Sequence, residues 1–222
     1  MIKNIIKYPS FSHLRINNKE IKNDKLIKAF KALSDAEYTD IVAKEENIKS
    51  YRSSLKNEIL KQRILVENGA KYSCCHIIKD VESFSQDLEV KLNKGSYSKL
   101  CFVFDLENAD FVGRINLKLE ENAKAELVFI FLKGKNTVFD IHTDLDGENA
   151  DIKLEGAYYC SEDSDFDLNL EINHNCKNVS SNINMNGALS KNSTKSYKYC
   201  LDFPRGCSGS KGNENESVVA LD

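Results

Sequence analysis

The sequence contains no tryptophan, only two prolines and ten glycines, so it has the composition of neither a collagen nor a flexible linker. It has no run of about 18 apolar residues, which argues against a transmembrane helix. The residues after Met1 include too short an apolar stretch for a signal peptide. The net charge of -3 provides no basic field for a phosphate backbone. These absences predict a cytoplasmic protein that binds neither a membrane nor a nucleic acid.

Seven cysteines are present, and no secretion signal accompanies them. An odd number of cysteines without such a signal favours reduced thiols over a disulfide framework. Hydrophobic residues make up 41% of the chain and charged residues 29%, which is typical of a folded globular protein. The chain is long enough to form one sizeable core or two small ones.

From about residue 63 onward, apolar and polar residues alternate with a period of two. Such alternation places one side of each strand against a core and the other in water. The stretch from Leu127 to Leu132 is continuously apolar, and we expect both of its faces to be buried. The apolar members of the alternating stretches are Leu117 and Leu119; Ile152 and Leu154; Phe166, Leu168, Leu170 and Ile172; and Ile183 and Met185.

A short turn signature recurs between the predicted strands. Glu121 and Glu148 are 27 residues apart (148 − 121), and Asn175 follows Glu148 after another 27 (175 − 148). Because asparagine tolerates a left-handed backbone, it suits a tight turn in each layer of a stack. A fixed period of this length predicts a β-solenoid, whereas an ordinary sandwich of hairpins is the alternative. The segments are Glu67-Asn68-Gly69-Ala70, Glu107-Asn108-Ala109, Glu121-Asn122-Ala123, Glu148-Asn149-Ala150 and Asn175-Cys176-Lys177-Asn178.

The first 62 residues have a different pattern. Asp24 is expected to begin a helix with Leu26, Ile27, Phe30 and Leu33 on one face. A second helix is predicted where apolar residues recur every three or four positions, at Ile48, Tyr51, Leu55 and Ile59. We therefore divide the chain into an N-terminal helical or cap region, residues 1–62, and a β-helix core, residues 63–222.

No self-contained catalytic motif is present. The glycine-rich stretch Arg205–Gly212 lacks the Gly-Lys-Ser/Thr ending of a phosphate loop, so no nucleotide is expected to bind to this chain. The acidic segment Glu162–Asp167 lacks the central glycine of a calcium loop.

Two His/Cys pairs have a spacing that places both side chains on one face of a strand. Cys74 and His76 form one pair, and His174 and Cys176 form the other. Each pair can offer two donors to zinc or iron. The alternative is that these cysteines are buried and pack as small apolar side chains.

The segment 199–216, which reads YCLDFPRGCSGSKGNENE, resembles a signature of the SufB/SufD family of iron–sulfur cluster assembly proteins. In that family a strand ending in Asp-Phe precedes a Lys/Arg-Gly turn, a run of small residues and a Gly-x-Glu-x-Glu-like stretch. Residues 172–174 with 180–189, and the start at Tyr8–Asn17, are similar to further parts of the family pattern. The resemblance thus spans nearly the whole chain.

The resemblance implies a right-handed parallel β-helix that acts as a scaffold and is not itself an enzyme. It implies a complex with a SufC-type ATPase and a second SufB/SufD-type subunit, in a homo- or heterodimer, and possible transient binding of an iron–sulfur cluster. The candidate metal donors are Cys207, Cys200, Cys176 and His174, and no catalytic role is assigned to them.

One departure from the family pattern concerns the end of the sequence. Family members continue beyond the equivalent of Asp222 with a segment that contacts the ATPase, so we expect the β-helix core to lack its usual C-terminal part. A fragment and a short paralogue are both compatible with this departure. Two other functions stay open, a β-helical carbohydrate-active enzyme, by analogy of fold alone, and a metal-free β-solenoid interaction module.

Overall fold

The computed structural model describes the backbone of residues 2–3, 19–20, 24–48, 53–55 and 59–221, and the side chains of residues 24–45 and 59–221. This part of the chain contains one helix and 17 strands. In chain order they are β1 (Ile2–Lys3), β2 (Lys19–Glu20), α1 (Asp24–Asp35), β3 (Thr39–Ala43), β4 (Glu46–Ile48), β5 (Ser53–Leu55), β6 (Ile59–Val66), β7 (Lys71–Lys79), β8 (Ser83–Leu92), β9 (Tyr97–Glu107), β10 (Asp110–Leu119), β11 (Lys124–Lys133), β12 (Asn136–Leu145), β13 (Asp151–Cys160), β14 (Asp165–His174), β15 (Ser180–Ser190), β16 (Thr194–Asp202) and β17 (Lys211–Leu221).

From β6 onward, successive strands alternate between two parallel sheets, whereas β1 and β2 form a separate antiparallel pair. Sheet 1 has the order β3-β6-β8-β10-β12-β14-β16. Sheet 2 has the order β4-β7-β9-β11-β13-β15-β17, and β5 also pairs with β7. Each coil therefore contributes one strand to each sheet, and the next coil stacks on it in parallel register. The predicted mainly β, parallel solenoid is confirmed, with about six turns, and the hairpin sandwich is excluded.

The side chains between the two sheets form one continuous apolar core. Every residue that the alternation predicted to face inward is buried in the structure, from Leu117 to Met185. Phenylalanines dominate the middle coils, where Phe104 stacks on Phe131 with a distance of 4.3 Å between ring centroids. Phe111 lies 4.8 Å from Phe104 across the core. Stacking between neighbouring coils is thus what buries each inward row.

The expectation that both faces of residues 127–132 are buried is wrong. Leu127, Phe129 and Phe131 are buried, whereas the side chain of Leu132 is 40% exposed. The residues between them, such as Val128, are only partly buried. A parallel strand is buried on both sides only where another layer covers its outer face. In this solenoid, sheet 1 covers the inner face of β11, and the outer face is left to solvent.

From β7 onward, each turn that leads into sheet 2 contains one residue with a left-handed backbone, that is, a positive φ. These residues stack on one another from coil to coil and form a column. The backbone NH of Asn122 donates to Glu148 O at 2.9 Å, and the NH of Asn149 donates to Lys177 O at 3.3 Å. The asparagine turns are therefore confirmed. The step from Asn149 to Asn178 is 29 residues rather than the predicted 27, because the opposite turn before β14 has four residues where the one before β12 has two. The column consists of Gly69, Gly95, Asn122, Asn149, Asn178 and Gly209.

A second column of left-handed residues lies at the opposite turns. It contains the Glu107-Asn108-Ala109 segment, but Glu107 has the positive φ of 49° and Asn108 does not. The prediction that all copies of the signature form equivalent turns is therefore wrong for this copy. The other members of the column are Asp80, Lys133, Glu162 and Lys191.

Helix α1 is confirmed and packs on the outer face of sheet 1. Its buried Leu26 contacts Val112 and Val138 in a small apolar cluster that is separate from the main core. The ammonium of Lys61 donates to the carbonyl oxygens of Leu33 and Ala36 at 2.9 and 2.7 Å. This cation satisfies carbonyl groups that a helix C-terminus leaves unpaired and complements its dipole.

The second predicted helix is wrong. Ile48 ends β4, Leu55 ends β5 and Ile59 begins β6, while Tyr51 lies outside the described residues. Pairing with β7 and β8 outweighs the local helical periodicity. Since β3 and β6 already belong to sheet 1, the sheet begins before residue 63; the division of the chain at residue 62 stays a prediction. The segment 8–17 of the family resemblance lies outside the described residues.

Within the described part of the chain, no helix combines the length and the apolar character that crossing a bilayer requires.

One fully buried amide interrupts the apolar interior. Gln86 lies on the inner face of β8 between Phe84 and Leu88 and has no exposed surface. Neither Oε1 nor Nε2 of Gln86 has a hydrogen-bond partner among the described residues. A buried polar group without a partner costs roughly 1–3 kcal/mol.

We expect Asn149→Ala to destabilise the protein more than Asn149→Gly, by about 1 kcal/mol, because alanine disfavours the φ of 60° found here. Both variants lose the side-chain hydrogen bond from Asn149 Nδ2 to Asn122 Oδ1, so their difference isolates the backbone effect. Urea unfolding of the two variants measures it. Equal losses would show that the amide contact, and not the left-handed backbone, is what matters.

We expect Gln86→Met to raise the free energy of unfolding by about 1–2 kcal/mol, since it removes the unpaired amide at nearly constant volume. Chemical denaturation checks this. Leu88→Ala, on the same inner face, serves as the control and is expected to lose about 2–5 kcal/mol. A destabilised Gln86→Met protein would contradict the assignment and indicate that the amide binds a buried water.

Candidate functional site

The structure places the four candidate donors at two locations near the C-terminal end of the solenoid. His174 ends β14, and Cys176 lies in the turn that follows it. Cys207 lies in the turn between β16 and β17. Cys200 lies elsewhere, on the outer face of sheet 1, where it pairs in register with Glu171.

Cys176 and Cys207 occupy the same position in two stacked turns. Cys176 lies two residues before Asn178, and Cys207 lies two residues before Gly209; both of these later residues have a left-handed backbone. A hydrogen bond joins the two turns, in which the NH of Asn178 donates to Ser208 O at 3.1 Å. Ser210 Oγ also donates to Cys176 O at 2.9 Å. Both cysteines are partly exposed and reduced. Their thiols donate to the carbonyl oxygens of Asp146 and Pro204, respectively, each at 2.9 Å.

His174 is buried beside these turns, with both ring nitrogens engaged. Nδ1 lies 3.1 Å from the carbonyl oxygen of Asp202, which only accepts, so Nδ1 carries the proton. Nε2 then accepts from Ser181 Oγ at 3.0 Å. The ring stacks on Phe203 with 4.0 Å between centroids, and burial lowers the pKa of His174. His174 is therefore a neutral residue that cannot bind a metal without giving up one of these contacts.

Cys200 lies among a different set of polar side chains from Cys176 and Cys207. Two residues before it, the ammonium of Lys198 lies 2.7 Å from Asp167 Oδ2 in an ion pair whose side chains are 1% and 2% exposed. Its register partner Glu171 lies 3.7 Å from His142 Nδ1. These contacts belong to the outer face of sheet 1, so Cys200 is not part of the turn that holds Cys176 and Cys207.

In the described residues, no group of three or more His, Cys, Asp or Glu side chains is arranged to hold a metal ion. The four candidate donors thus do not form a complete ligand set within this part of the chain. Their assignment as metal donors stays a prediction.

The other predicted His/Cys pair supports the packing alternative. Cys74 and His76 do share the inner face of β7, as their spacing predicted, but both are buried. His76 stacks on Phe102 with 5.6 Å between centroids. Burial raises the pKa of the Cys74 thiol to about 12 and that of Cys160 to about 11, so neither forms a thiolate readily.

The sequence reasoning missed a charged cluster at the end of the solenoid interior. Lys195 and Glu216 form an ion pair there, and their side chains are only 20% and 21% exposed. Tyr158 of β13 donates its hydroxyl proton to Glu216 Oε1 at 2.7 Å. In the coils before it, the register position of Glu216 is occupied by Met185 and Gly156. The apolar interior therefore becomes polar and charged at β16 and β17.

Glu214 and Tyr197 extend this cluster. The pKa of Glu214 is raised, first by burial and second by the negative charge of Glu216. The pKa of Tyr197 is raised mainly by burial and further by the charges of Glu214 and Glu216. The pKa of Tyr158 is raised by burial and by its hydrogen bond to Glu216. Both tyrosines therefore keep their protons beside two carboxylates and one ammonium, and Tyr158 donates its proton to Glu216.

The sequence did contain a signal for this cluster. Glu214 and Glu216 are two residues apart, so they share a strand face. The alternate residues Asn213 and Asn215 are also polar, however, and polarity on both faces of β17 gave no indication of which face points inward. The register of β15 with β17 resolves this, since Glu214 lies beside the buried Ile183.

Comparison with protein families identifies a match over most of the chain. The family model for "SUF system FeS cluster assembly, SufBD core domain" matches residues 51–222, more than three quarters of the chain. No curated protein matches the sequence. The matched range includes both stacked cysteine turns and the inward charged cluster.

We expect Glu214→Gln to stabilise the protein at neutral pH but not at acid pH. A carboxyl whose pKa is raised in the folded state binds more protons when folded, so stability falls as pH rises from about 4.3 through the raised pKa. The substitution removes this loss. Thermal unfolding of both proteins between about pH 4 and 8 measures the difference, which should shrink as the pH falls.

Glu121→Gln is the matched control for this experiment, because Glu121 forms an exposed ion pair with Lys94. Exposed pairs contribute little, so its effect should be small across the whole pH range. A stabilisation by Glu214→Gln that does not change with pH would contradict the raised pKa.

Proposed function

This chain belongs to the SufB/SufD family of the SUF system, and we propose that it acts as a scaffold subunit for iron–sulfur cluster assembly in complex with a SufC-type ATPase. The observation that carries the proposal is the family match over residues 51–222, which covers the solenoid from β6 to β17. A second SufB/SufD-type subunit completes the proposed complex, as a homo- or heterodimer. We further propose that the complex works in the cytoplasm, as the sequence predicted.

The turn between β16 and β17 supports the proposal that a partner, and not this chain, binds and hydrolyses ATP. The glycine-rich stretch 205–212 runs from this turn into a strand, β17, whereas a phosphate loop leads into a helix whose N-terminus binds the phosphates. ATP hydrolysis therefore belongs to the partner in this proposal. The chain itself contributes a rigid frame and donor groups, and we assign no reaction to its own residues.

Cys176 and Cys207 are the donors that we propose first for a transient iron–sulfur cluster. Thiolates are the usual protein ligands of such clusters, and the shared turn position holds these two sulfurs in neighbouring coils. Cluster binding would require both thiols to leave their carbonyl partners and lose their protons. Cys200 and His174 are secondary candidates, since one lies on another face and the other has both ring nitrogens engaged.

A complete cluster site would need donors from a partner. A [2Fe–2S] or [4Fe–4S] cluster is usually held by four protein ligands, and among the described residues no group of three or more His, Cys, Asp or Glu side chains is arranged to hold a metal ion. The proposed second subunit is the natural source of the missing ligands. The charged cluster of Lys195, Glu214 and Glu216 lies in the same last coils and can offer hydrogen bonds to a bound polar species.

The proposal is tested by oxygen-free co-purification of the tagged chain with the SufC-type ATPase and the full-length SufB-type protein of the same cell. We expect both partners to be retained, and iron and acid-labile sulfide to be present in the complex. Cys176→Ser/Cys207→Ser should lower the iron content several-fold while both partners stay bound.

Cys160→Ala is the matched control, because Cys160 is buried and its raised pKa keeps it protonated. It should leave the iron content unchanged. Loss of both partners from the wild-type chain would contradict the assembly role. A complex that is retained but free of iron, and indifferent to replacement of all seven cysteines, would indicate the metal-free interaction module instead.

A further inference from the structure

Two cysteines that no functional assignment uses lie side by side on the outer face of sheet 2. Cys75 of β7 and Cys101 of β9 are direct register partners in neighbouring parallel strands. Both are reduced and partly exposed, and the Cys75 thiol is near enough to raise the pKa of Cys101. Residues 74 and 75 face opposite sides of the strand, so Cys75 is outside while Cys74 is in the core. Parallel pairing of β7 with β9 is what brings the two outer thiols together.

The spacing of these strands suits a bridging ion better than a disulfide. Neighbouring strands lie about 4.7–4.9 Å apart, and in-register side chains leave them in the same direction. Two metal–thiolate bonds of about 2.3 Å in a line span roughly 4.6 Å, which matches that spacing. A disulfide needs a sulfur–sulfur bond of about 2.05 Å and Cβ atoms about 3.8 Å apart, which is closer than the spacing of side chains that leave in-register strands in the same direction.

The donor set also restricts the type of ion. Thiolates are soft ligands and select ions such as Cu(I) over magnesium or calcium. Because the described residues provide no third donor at this site, an ion that requires four protein ligands would be incompletely held. By contrast, two thiolates in a linear arrangement complete the coordination of a monovalent ion with a filled d shell, such as Cu(I).

The surroundings of the pair shift the pKa of Cys101 in both directions, and their net effect keeps the thiol protonated until a metal ion displaces the proton. Lys99 lies two residues before Cys101 on the same face, and its positive charge lowers the pKa of the Cys101 thiol. Burial and the neighbouring Cys75 thiol have the larger, opposite effect and raise that pKa to about 11. The next residue of the column beyond Cys101 is Val128, which limits access of water from that side.

We propose that Cys75 and Cys101 form a two-thiol site that binds one soft monovalent metal ion, with Cu(I) as the test case. The ion replaces the two thiol protons, so two copper–sulfur bonds form and two protons are released. No atom changes its oxidation state. The resulting bis-thiolate complex carries one negative charge near Lys99, whose ammonium also pairs with Glu126 at 3.0 Å.

The test is an oxygen-free titration of the reduced, full-length chain with Cu(I) in competition with bicinchoninate. It is performed on the Cys176→Ser/Cys207→Ser protein, so that the stacked turns do not contribute. We expect one tightly bound Cu(I). Cys75→Ser and Cys101→Ser should each abolish it, and the combination of both should lose no more than either alone.

Two further readouts separate a bridged ion from other outcomes. X-ray absorption should show two sulfur neighbours, and the affinity should rise by up to about 100-fold per pH unit, because two protons are displaced. Cys75 and Cys101 should be protected together from N-ethylmaleimide when Cu(I) is bound. Circular dichroism checks that each serine variant is folded.

Three results would overturn the proposal. The first is retention of the bound Cu(I) by either single variant. The second is a copper with three or more protein donors. The third is ready formation of a Cys75–Cys101 disulfide with oxidised glutathione, since the strand spacing would then not disfavour the covalent bond.

Discussion

The parallel backbone pairing between successive coils is the interaction on which the rest of the structure depends. Each strand from β6 onward is hydrogen-bonded to the strand one coil away in the same sheet. This pairing holds equivalent residues of neighbouring coils about 4.8 Å apart, so a residue type repeated at the coil period becomes a column. The left-handed turn residues, the stacked phenylalanines and both cysteine pairs are columns of this kind. A shift of one residue in register would move every inward side chain to the outside.

The interior changes character along the solenoid axis. In the middle coils, rings such as Phe104 and Phe131 fill the space between the sheets. In the last coils, Lys195 and Glu216 occupy inner positions and pair with each other, because an unpaired charge could not be buried there. For Glu214, burial instead raises the pKa of the carboxyl group, which favours its neutral form. Polar interior groups of this kind oppose stability, and they coincide here with the segment that carries the family signature.

The surroundings of each cysteine decide whether it packs as an apolar side chain or is accessible to a ligand. Cys74 and Cys160 lie in the core, where desolvation keeps them as thiols. Cys176 and Cys207 lie in turns, where their thiols are held by backbone carbonyls at the edge of the solenoid. Cys75 and Cys101 lie on an open sheet face and contact each other. Position in the coil, rather than residue type, therefore separates packing cysteines from those available to a ligand.

The sequence by itself determined the strand alternation, the asparagine turns, helix α1 and the family, because each leaves a local or motif-level pattern. Leu117, Met185 and Asn149 lie as that pattern required. Only the tertiary structure decided which face of β17 points inward, that residues 46–48 and 53–55 form strands, and that Cys75 meets Cys101. Those outcomes depend on the register between residues some 23 to 31 positions apart, which local hydrophobicity does not encode. Pairing with a strand one coil away supplies that information.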